Sequence, residues 1–236
     1  MRKKGVTLES PGRKRRRPGC AYAFFKRMAD IFLSFFLTVL FLPVSLLTAL
    51  LIFARTGHNP FFLQDRMGRN GKIIKVLKFR TMRQDAADLS LVLSPEELAL
   101  YRQEYKLGDD PRLIGYRRPG DGTRCFGAIL RRTSIDELPQ LFFNILLLGN
   151  MSLVGPRPIL RDELQKHYTP EEQKAFLSVK PGLTGFWQAY ARNEACYSDG
   201  QRQWMELYYV AHQSVGLDIR ILFRTVVAVL TKAGAK

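Results

Sequence analysis

Two adjacent carboxylates, Asp136 and Glu137, follow a pair of arginines in the run Arg131-Arg132-Thr133-Ser134-Ile135-Asp136-Glu137-Leu138-Pro139-Gln140. Pro139 lacks an N–H and clashes with a preceding turn, so a helix must start within this stretch. The acids then lie at or near a helix N-terminus, where unpaired backbone N–H groups attract anions, phosphate included. Read alone, they make an ordinary cap: Ser134 with Glu137 has capping-box spacing, and Thr133 with Asp136 fits too. Three features weigh against a cap alone. Two arginines precede the acids, a basic turn stiffened by proline follows at Gly155-Pro156-Arg157-Pro158, and a third basic cluster stands at Lys78-Phe79-Arg80-Thr81-Met82. Arginine's planar fork matches phosphate oxygens better than lysine's point charge. The chemistry on offer is that of a carboxylate working beside phosphate.

Other catalytic patterns fail. Gly68-Arg69-Asn70-Gly71-Lys72 resembles a P-loop, but Arg66 stands at the first glycine position and Ile73 replaces the Ser or Thr. No G-x-G-x-x-G opens a helix, and neither H-E-x-x-H nor G-x-S-x-G occurs. His58, His167 and His212 are isolated, and Cys20, Cys125 and Cys196 are too scattered for zinc. Three cysteines argue against a disulfide framework and for a reducing compartment.

The elements that must position the acids begin with a membrane segment. Ile31 to Phe53 carries no charge, and at 1.5 Å per residue it covers a bilayer core of about 30 Å. Basic residues flank it on both sides, Lys26 and Arg27 before, Arg55 and Arg66 after, which favours the cytoplasmic side for both ends. A re-entrant helix bent at Pro43 satisfies both flanks; one straight span with an outside domain is the alternative. Residues 1–21 read as a disordered basic tail on anionic lipid, in keeping with a net charge of +16. The expected domains are this tail, a membrane-embedded helix over 22–56, and a cytosolic domain over 57–232.

Within that domain, Lys72 to Met82 reads as a strand or hairpin, and Tyr116 to Cys125 as a loop. Ser94-Pro95-Glu96-Glu97 and Thr169-Pro170-Glu171-Glu172 start helices, the first running toward Gly108. Leu138 to Leu148 and Asp218 to Thr231 are apolar helices, the second with Arg220 and Arg224 on its polar side. The fold class is mostly α with a small β component: a re-entrant membrane helix plus a compact cytosolic α/β domain with interfacial amphipathic helices.

Five stretches in order resemble one family. They are Gln64 to Gly68, Lys78 to Met82, Arg131 to Gln140, Met151 to Pro158, and Lys180 to Gln188. The chain is similar over about Lys26 to Thr231 to the bacterial sugar transferases, the monotopic polyprenyl-phosphate phosphoglycosyl transferases, in their minimal catalytic form. The resemblance implies transfer of a sugar 1-phosphate from a UDP-sugar to undecaprenyl phosphate, with release of UMP, to initiate a surface polysaccharide. It matches Asp136 to the nucleophile that forms a phosphosugar intermediate, and Glu137 to its partner associated with Mg²⁺. It matches Arg131 and Arg157 to arginines that hold phosphate or nucleotide, and Arg192 and Asp218 to further functional positions. Lys78, Arg80, Gly155 and Pro156 complete the expected substrate-binding set. A cytoplasmic-face location at the bacterial inner membrane is implied, with anionic lipid as a partner, nucleic acid excluded and self-association left open. An aspartate of reference pKa about 3.9 is ionised near neutrality and needs no separate base.

The chain departs from the family pattern in several places. It carries extra residues between Arg112 and Phe126, among them Pro119 to Gly122. His58-Asn59 lengthens the turn after the membrane helix, Glu206 stands where Asp is common, and Ala191 where Gly is. The apolar helix after Gln140 is longer, and two added residues turn a helix by about 200° unless a bulge absorbs them. That spacing governs whether Arg157 reaches Asp136. The competing reading is a membrane-anchored basic protein that binds phospholipid or nucleic acid without catalysis; it accounts for the charge but not for acids set between arginines. A scaffold member of the same family is a third.

Overall fold

The computed structural model describes residues 19–105, 107–191, 197 and 200–230, so the expected tail lies outside it up to residue 18. The apolar run forms helix α1, Cys20–Thr56, about 55 Å long at 1.5 Å per residue. It is long and apolar enough to cross a membrane. Pro43 lies inside the helix, which continues through it. Gly57 ends it: a φ of 69° lets the Gly57 N–H return to the Phe53 carbonyl.

Both ends of α1 pack on the domain that follows. Near its start, Arg27 Nη1 donates to the Ile145 carbonyl at 2.8 Å, and Asp30 accepts from Ser152 Oγ and the Leu153 N–H at 3.0 and 2.9 Å. Near its end, Ala49 and Ile52 pack with Phe79, Ile114 and Leu130, and the Arg55 guanidinium lies 4.4 Å from the Phe126 ring. Between these anchors Phe32, Phe36, Leu40, Leu46, Leu47 and Leu50 are exposed.

Strand β2 (Ile73–Phe79) falls in the stretch 72–82 expected as a strand or hairpin. Its partner β1 (Phe61–Met67) precedes that stretch and is not among the expected elements; the two pair antiparallel in register Leu63↔Leu77 and Arg66↔Ile74. Helices α2 (Leu89–Val92) and α3 (Pro95–Glu104) follow; Ser94 and Glu97 cap α3 reciprocally, as expected. The helix stops at Tyr105 in the left-handed region, short of the expected Gly108. Helix α4 (Phe126–Arg132) leads through a 3₁₀ turn, Ile135–Glu137, to a π-helix, Leu141–Leu147. Then come β3 (Ser152–Val154), α5 (Arg161–His167), α6 (Pro170–Phe176), β4 (Gly182–Thr184), α7 (Phe186–Ala191), α8 (Gln201–Ala211) and α9 (Val215–Leu230). Thr169 and Glu172 cap α6 as the sequence predicts.

The architecture is mostly helical with two two-stranded sheets, β1–β2 antiparallel and β3–β4 parallel. The main core gathers Val76, Ile145, Met151, Leu153, Val154, Tyr209 and Ile221 beneath α1. The two short strands can approach because glycine faces glycine: a Cβ on Gly182 would lie 2.1 Å from the Gly155 nitrogen. Helix α9 buries Ile221 and turns Val215, Ile219, Phe223 and Val226 outward.

The apolar stretch expected as an ordinary helix over 138–148 is corrected by the structure. Its body is π-helical, with the Leu148 N–H donating to the Phe143 carbonyl five residues back at 3.0 Å. A π turn takes an additional residue without a full change of facing, which is the bulge that the longer spacing calls for. Asn144, fully buried, ties this segment to the open edge of β2. Its side chain accepts from the Leu77 N–H at 3.0 Å and donates to the Lys75 carbonyl at 2.8 Å and to Asn150 Oδ1 at 3.2 Å. Asn144→Ala strands two backbone groups of β2 and is expected to cost about 2–4 kcal/mol of stability, checked by denaturant unfolding of the detergent-solubilised protein.

Candidate active site

Asp136 reaches its place through a backbone reversal. After α4, Ser134 adopts φ 57°, ψ 17°, a left-handed conformation, and the next three residues form the 3₁₀ turn. The expected capping box between Ser134 and Glu137 is not made: an N-cap needs extended backbone, and Ser134 does not have it. The turn leaves Asp136 only 7% exposed. Glu137 instead meets Lys78 of β2, Nζ to Oε1, at 3.1 Å. Pro139 falls where the next helical segment begins, so its missing N–H costs nothing.

Arg131, on the last turn of α4, donates from Nε to Thr81 Oγ1 at 3.0 Å and stands 3.7 Å from Asp110. Asp110 is itself held by Arg112 through two bonds of 2.8 Å, both residues buried. Removing one member of such a buried pair costs about 3–5 kcal/mol, so this pair is a firm backing for Arg131.

Arg157 is held more elaborately. Its N–H donates to Glu206 Oε2 at 3.1 Å, its guanidinium lies 3.9 Å from Glu163 Oε1, and Trp187 stands 5.6 Å away. Glu163 accepts in turn from Tyr197 Oη and from Arg202 Nη2 at 3.0 Å. Arg202 is sandwiched between the rings of Trp187 and Tyr197 at 4.2 and 4.1 Å. Burial pushes the Glu163 carboxyl up, but Arg157, Arg202 and the Tyr197 bond outweigh it and hold it below its ordinary value. Glu206 goes the other way: burial raises it to about 7 against the pull of Arg202 and the Arg157 N–H.

Arg66, on β1, joins this group. Burial, then the neighbouring Arg157, lowers its pKa to about 10, so it stays a cation at neutral pH. Glu137 is close enough to act electrostatically on both Arg66 and Arg157. The structure therefore sets Lys78 against Glu137, on the turn that carries Asp136, and brings Arg66 and Arg157 close enough to feel the Glu137 charge.

The remaining expected residues lie elsewhere. Arg80 donates from Nε to the Asn59 carbonyl at 2.9 Å and borders an open apolar groove of Phe61, Phe62, Leu63 and Leu77. Asp218 binds Tyr22, Lys26 and Tyr209 at 2.7–2.9 Å, joining α1 to α8 and α9. Gly155 and Pro156 form the tight approach of β3 to β4 that launches Arg157. Pro43 lies far along α1 from the acids in sequence, and Arg192 is outside the described residues.

Sequence reasoning missed Arg66, Glu163, Arg202, Glu206 and Trp187. Arg66 had a signal, since it shares a strand face with Phe62 and Gln64 and stands in one of the recurring stretches. Trp187 stands in another of those stretches, and Glu206 at a departure from the family pattern. Glu163 and Arg202 had no signal, because their partners are distant in the chain and meet only in the fold. Three acidic, histidine or cysteine side chains do not gather as a metal site among the described residues. A magnesium ion held mainly by substrate phosphates needs only one or two carboxylates. Asp136 and Glu137, side by side on one turn, fit that smaller demand.

Glu206 predicts a pH signature. Its folded pKa stands above the ordinary 4.5, so the folded chain holds an extra proton between these values and stability falls as pH rises through that window. Glu206→Gln keeps an acceptor for Arg157 and removes the slope. Its melting temperature relative to wild type is expected to rise between about pH 5 and about pH 8, measured by thermal scans across that range.

Comparison with known proteins accords with this arrangement. The family described as bacterial sugar transferase matches residues 21–232. An uncharacterized sugar transferase of Haemophilus influenzae is 40% identical over 89% of this chain and 42% of its own length. The undecaprenyl-phosphate galactose phosphotransferase of Salmonella typhimurium is 35% identical over 90% of this chain and 42% of its own. The exopolysaccharide production protein ExoY of Rhizobium meliloti is 35% identical over 89% of this chain and 87% of its own. The chain thus spans less than half the length of the first two relatives and most of the third. With the family matched from the first turn of α1 to just beyond α9, the chain belongs to the bacterial sugar transferases.

Proposed function

We propose that this protein transfers a sugar 1-phosphate from a UDP-sugar to undecaprenyl phosphate at the cytoplasmic face of the bacterial inner membrane, through a phosphosugar intermediate on Asp136. The observation that carries the reading is a largely buried aspartate on a strained turn, with Lys78, Arg131 and Arg157 each fixed near it by a carboxylate of the protein. An anionic nucleophile approaching an anionic diphosphate needs positive charge already in place, and these cations are oriented before substrate arrives.

In the first step an Asp136 oxygen attacks the sugar-bearing phosphorus, forming an acyl phosphate while the bond to the bridging oxygen breaks and UMP leaves. In the second, an oxygen of the lipid phosphate attacks the same phosphorus. The aspartate departs as carboxylate and the sugar ends on a polyprenyl diphosphate. Mg²⁺, held by Glu137 and the substrate phosphates, would neutralise charge on the phosphoryl oxygens. Lys78 keeps Glu137 turned toward the site, and Arg131 and Arg157 bind phosphate oxygens.

The lipid acceptor is reached because the site is held against the membrane helix. Both ends of α1 pack on one domain, whereas a spanning helix would separate them by a bilayer core of about 30 Å. That supports a re-entrant helix, with the outward stripe of α9 and the exposed face of α1 in the lipid. Cys20 and a cysteine introduced by His58→Cys, each the sole thiol, should label from the same side of sealed vesicles with an impermeant maleimide. Labelling from opposite sides sinks the re-entrant reading.

Asp136→Asn is expected to lower turnover by about 10³-fold or more and to abolish the covalent phosphosugar adduct seen by intact mass after mixing with UDP-sugar. A variant that keeps wild-type turnover, or an adduct on another residue, overturns the proposed mechanism.

A further inference from the structure

Arg66 Nη1 is buried and has no hydrogen-bond partner. A buried donor left unmade costs about 1–3 kcal/mol, so a folded protein rarely keeps one without a use. The position is unusual in charge as well as in bonding. The Met67 N–H donates to the Ile159 carbonyl at 2.9 Å, pinning the end of β1 to the segment that follows Arg157. Arg66 and Arg157 are thereby close enough for their positive charges to repel, with Arg66 partly buried and the Arg157 side chain 33% exposed.

Glu163 and Glu137, the carboxylates that act on both arginines, are committed. Glu163 accepts from Tyr197, Arg202 and the Leu160 N–H and faces Arg157. Glu137 is paired with Lys78. Glu206 accepts the Arg157 backbone N–H on Oε2 and leaves Oε1 without a partner. Burial raises its pKa to about 7, however, so near neutrality it is only partly an anion. What would satisfy the Arg66 donor and the paired positive charge together is an anion from outside, and a phosphate group with several charged oxygens is the chemistry that bridges two arginine forks.

We infer that Arg66 and Arg157 form a clamp for the uridyl phosphate of the donor, the group that leaves as UMP, with Arg66 Nη1 donating to one of its oxygens. This rests on the transferase reading above and adds Arg66 to it, as the residue that neutralises the leaving phosphate while Asp136 attacks the neighbouring phosphorus. The lipid phosphate is the other source of the same chemistry. It is disfavoured because Arg66 stands with the Trp187 and Glu163 cluster, whereas the apolar groove after α1 is bordered by Arg80.

The test uses the full chain in detergent or nanodiscs. UMP and uridine affinities are measured by calorimetry or competition for wild type, Arg66→Gln and Arg66→Lys, with KM for UDP-sugar and for undecaprenyl phosphate alongside. Expected is a loss of UMP affinity of about tenfold or more in Arg66→Gln, with uridine affinity and acceptor KM unchanged and donor KM raised. Arg66→Lys should recover part of it and covers the case in which the glutamine variant does not fold. UMP affinity equal to wild type in either variant overturns the clamp. So does an equal loss for UMP and uridine, which marks a structural role, or a rise confined to acceptor KM, which assigns Arg66 to the lipid. Absence of UMP binding by the wild type sinks the transferase reading itself, a separate result.

Discussion

A carboxylate near the start of the long apolar helix α1 governs where the candidate site sits. Asp30 is 4% exposed and takes two hydrogen bonds from β3, at Ser152 and Leu153. Two residues beyond Leu153 the chain enters Gly155-Pro156-Arg157. Arg27, one turn earlier on α1, holds the Ile145 carbonyl in the π-helix that follows Asp136. The two segments that carry Asp136 and Arg157 are thus hung from one helix. Lys26, bonded to Asp218 and Tyr209, adds a third tie to α8 and α9. A buried ion loses several kcal/mol of hydration unless such bonds replace it, so these contacts are specific as well as strong.

Two of the arginines proposed for phosphate, Arg131 and Arg157, are each held by a buried acid of the protein. Arg131 has Asp110, backed by Arg112; Arg157 has Glu163, backed by Arg202 and Tyr197. The first carboxylate fixes direction, and at Glu163 the second cation, Arg202, helps hold the carboxyl below its ordinary value in a buried place. A guanidinium oriented in advance reorganises little as charge moves in the transition state, and this is where electrostatic catalysis gains most. The aromatic rings of Trp187 and Tyr197 close on Arg202 and exclude water from the arrangement.

The glycines and the π-helix solve a geometric problem. β3 and β4 approach more closely than any side chain allows, with Gly155 facing Gly182. The segment between Asp136 and β3 takes up its length in the wide turns of residues 141–147. Asn144 then satisfies the strand edge that this segment covers.

Local chemistry was legible in the residues themselves. The apolar run of α1, the N-terminal caps of α3 and α6, the strand β2 and the arginine pair just before Asp136 and Glu137 each depend on neighbours within a few positions, which a sequence displays directly. The family, too, was readable from five ordered stretches. What only the tertiary structure decided is the set of partners. Ser134 looked like a cap, but packing drives it into the left-handed region and sends Glu137 to Lys78, 59 residues away in the chain. Arg66, Glu163, Arg202 and Glu206 acquire meaning only when β1, α5 and α8 converge on one turn. The reason is the range of the forces: periodicity, caps and turns are short-range, while charge pairing and burial are set by whatever folding brings within a few ångströms.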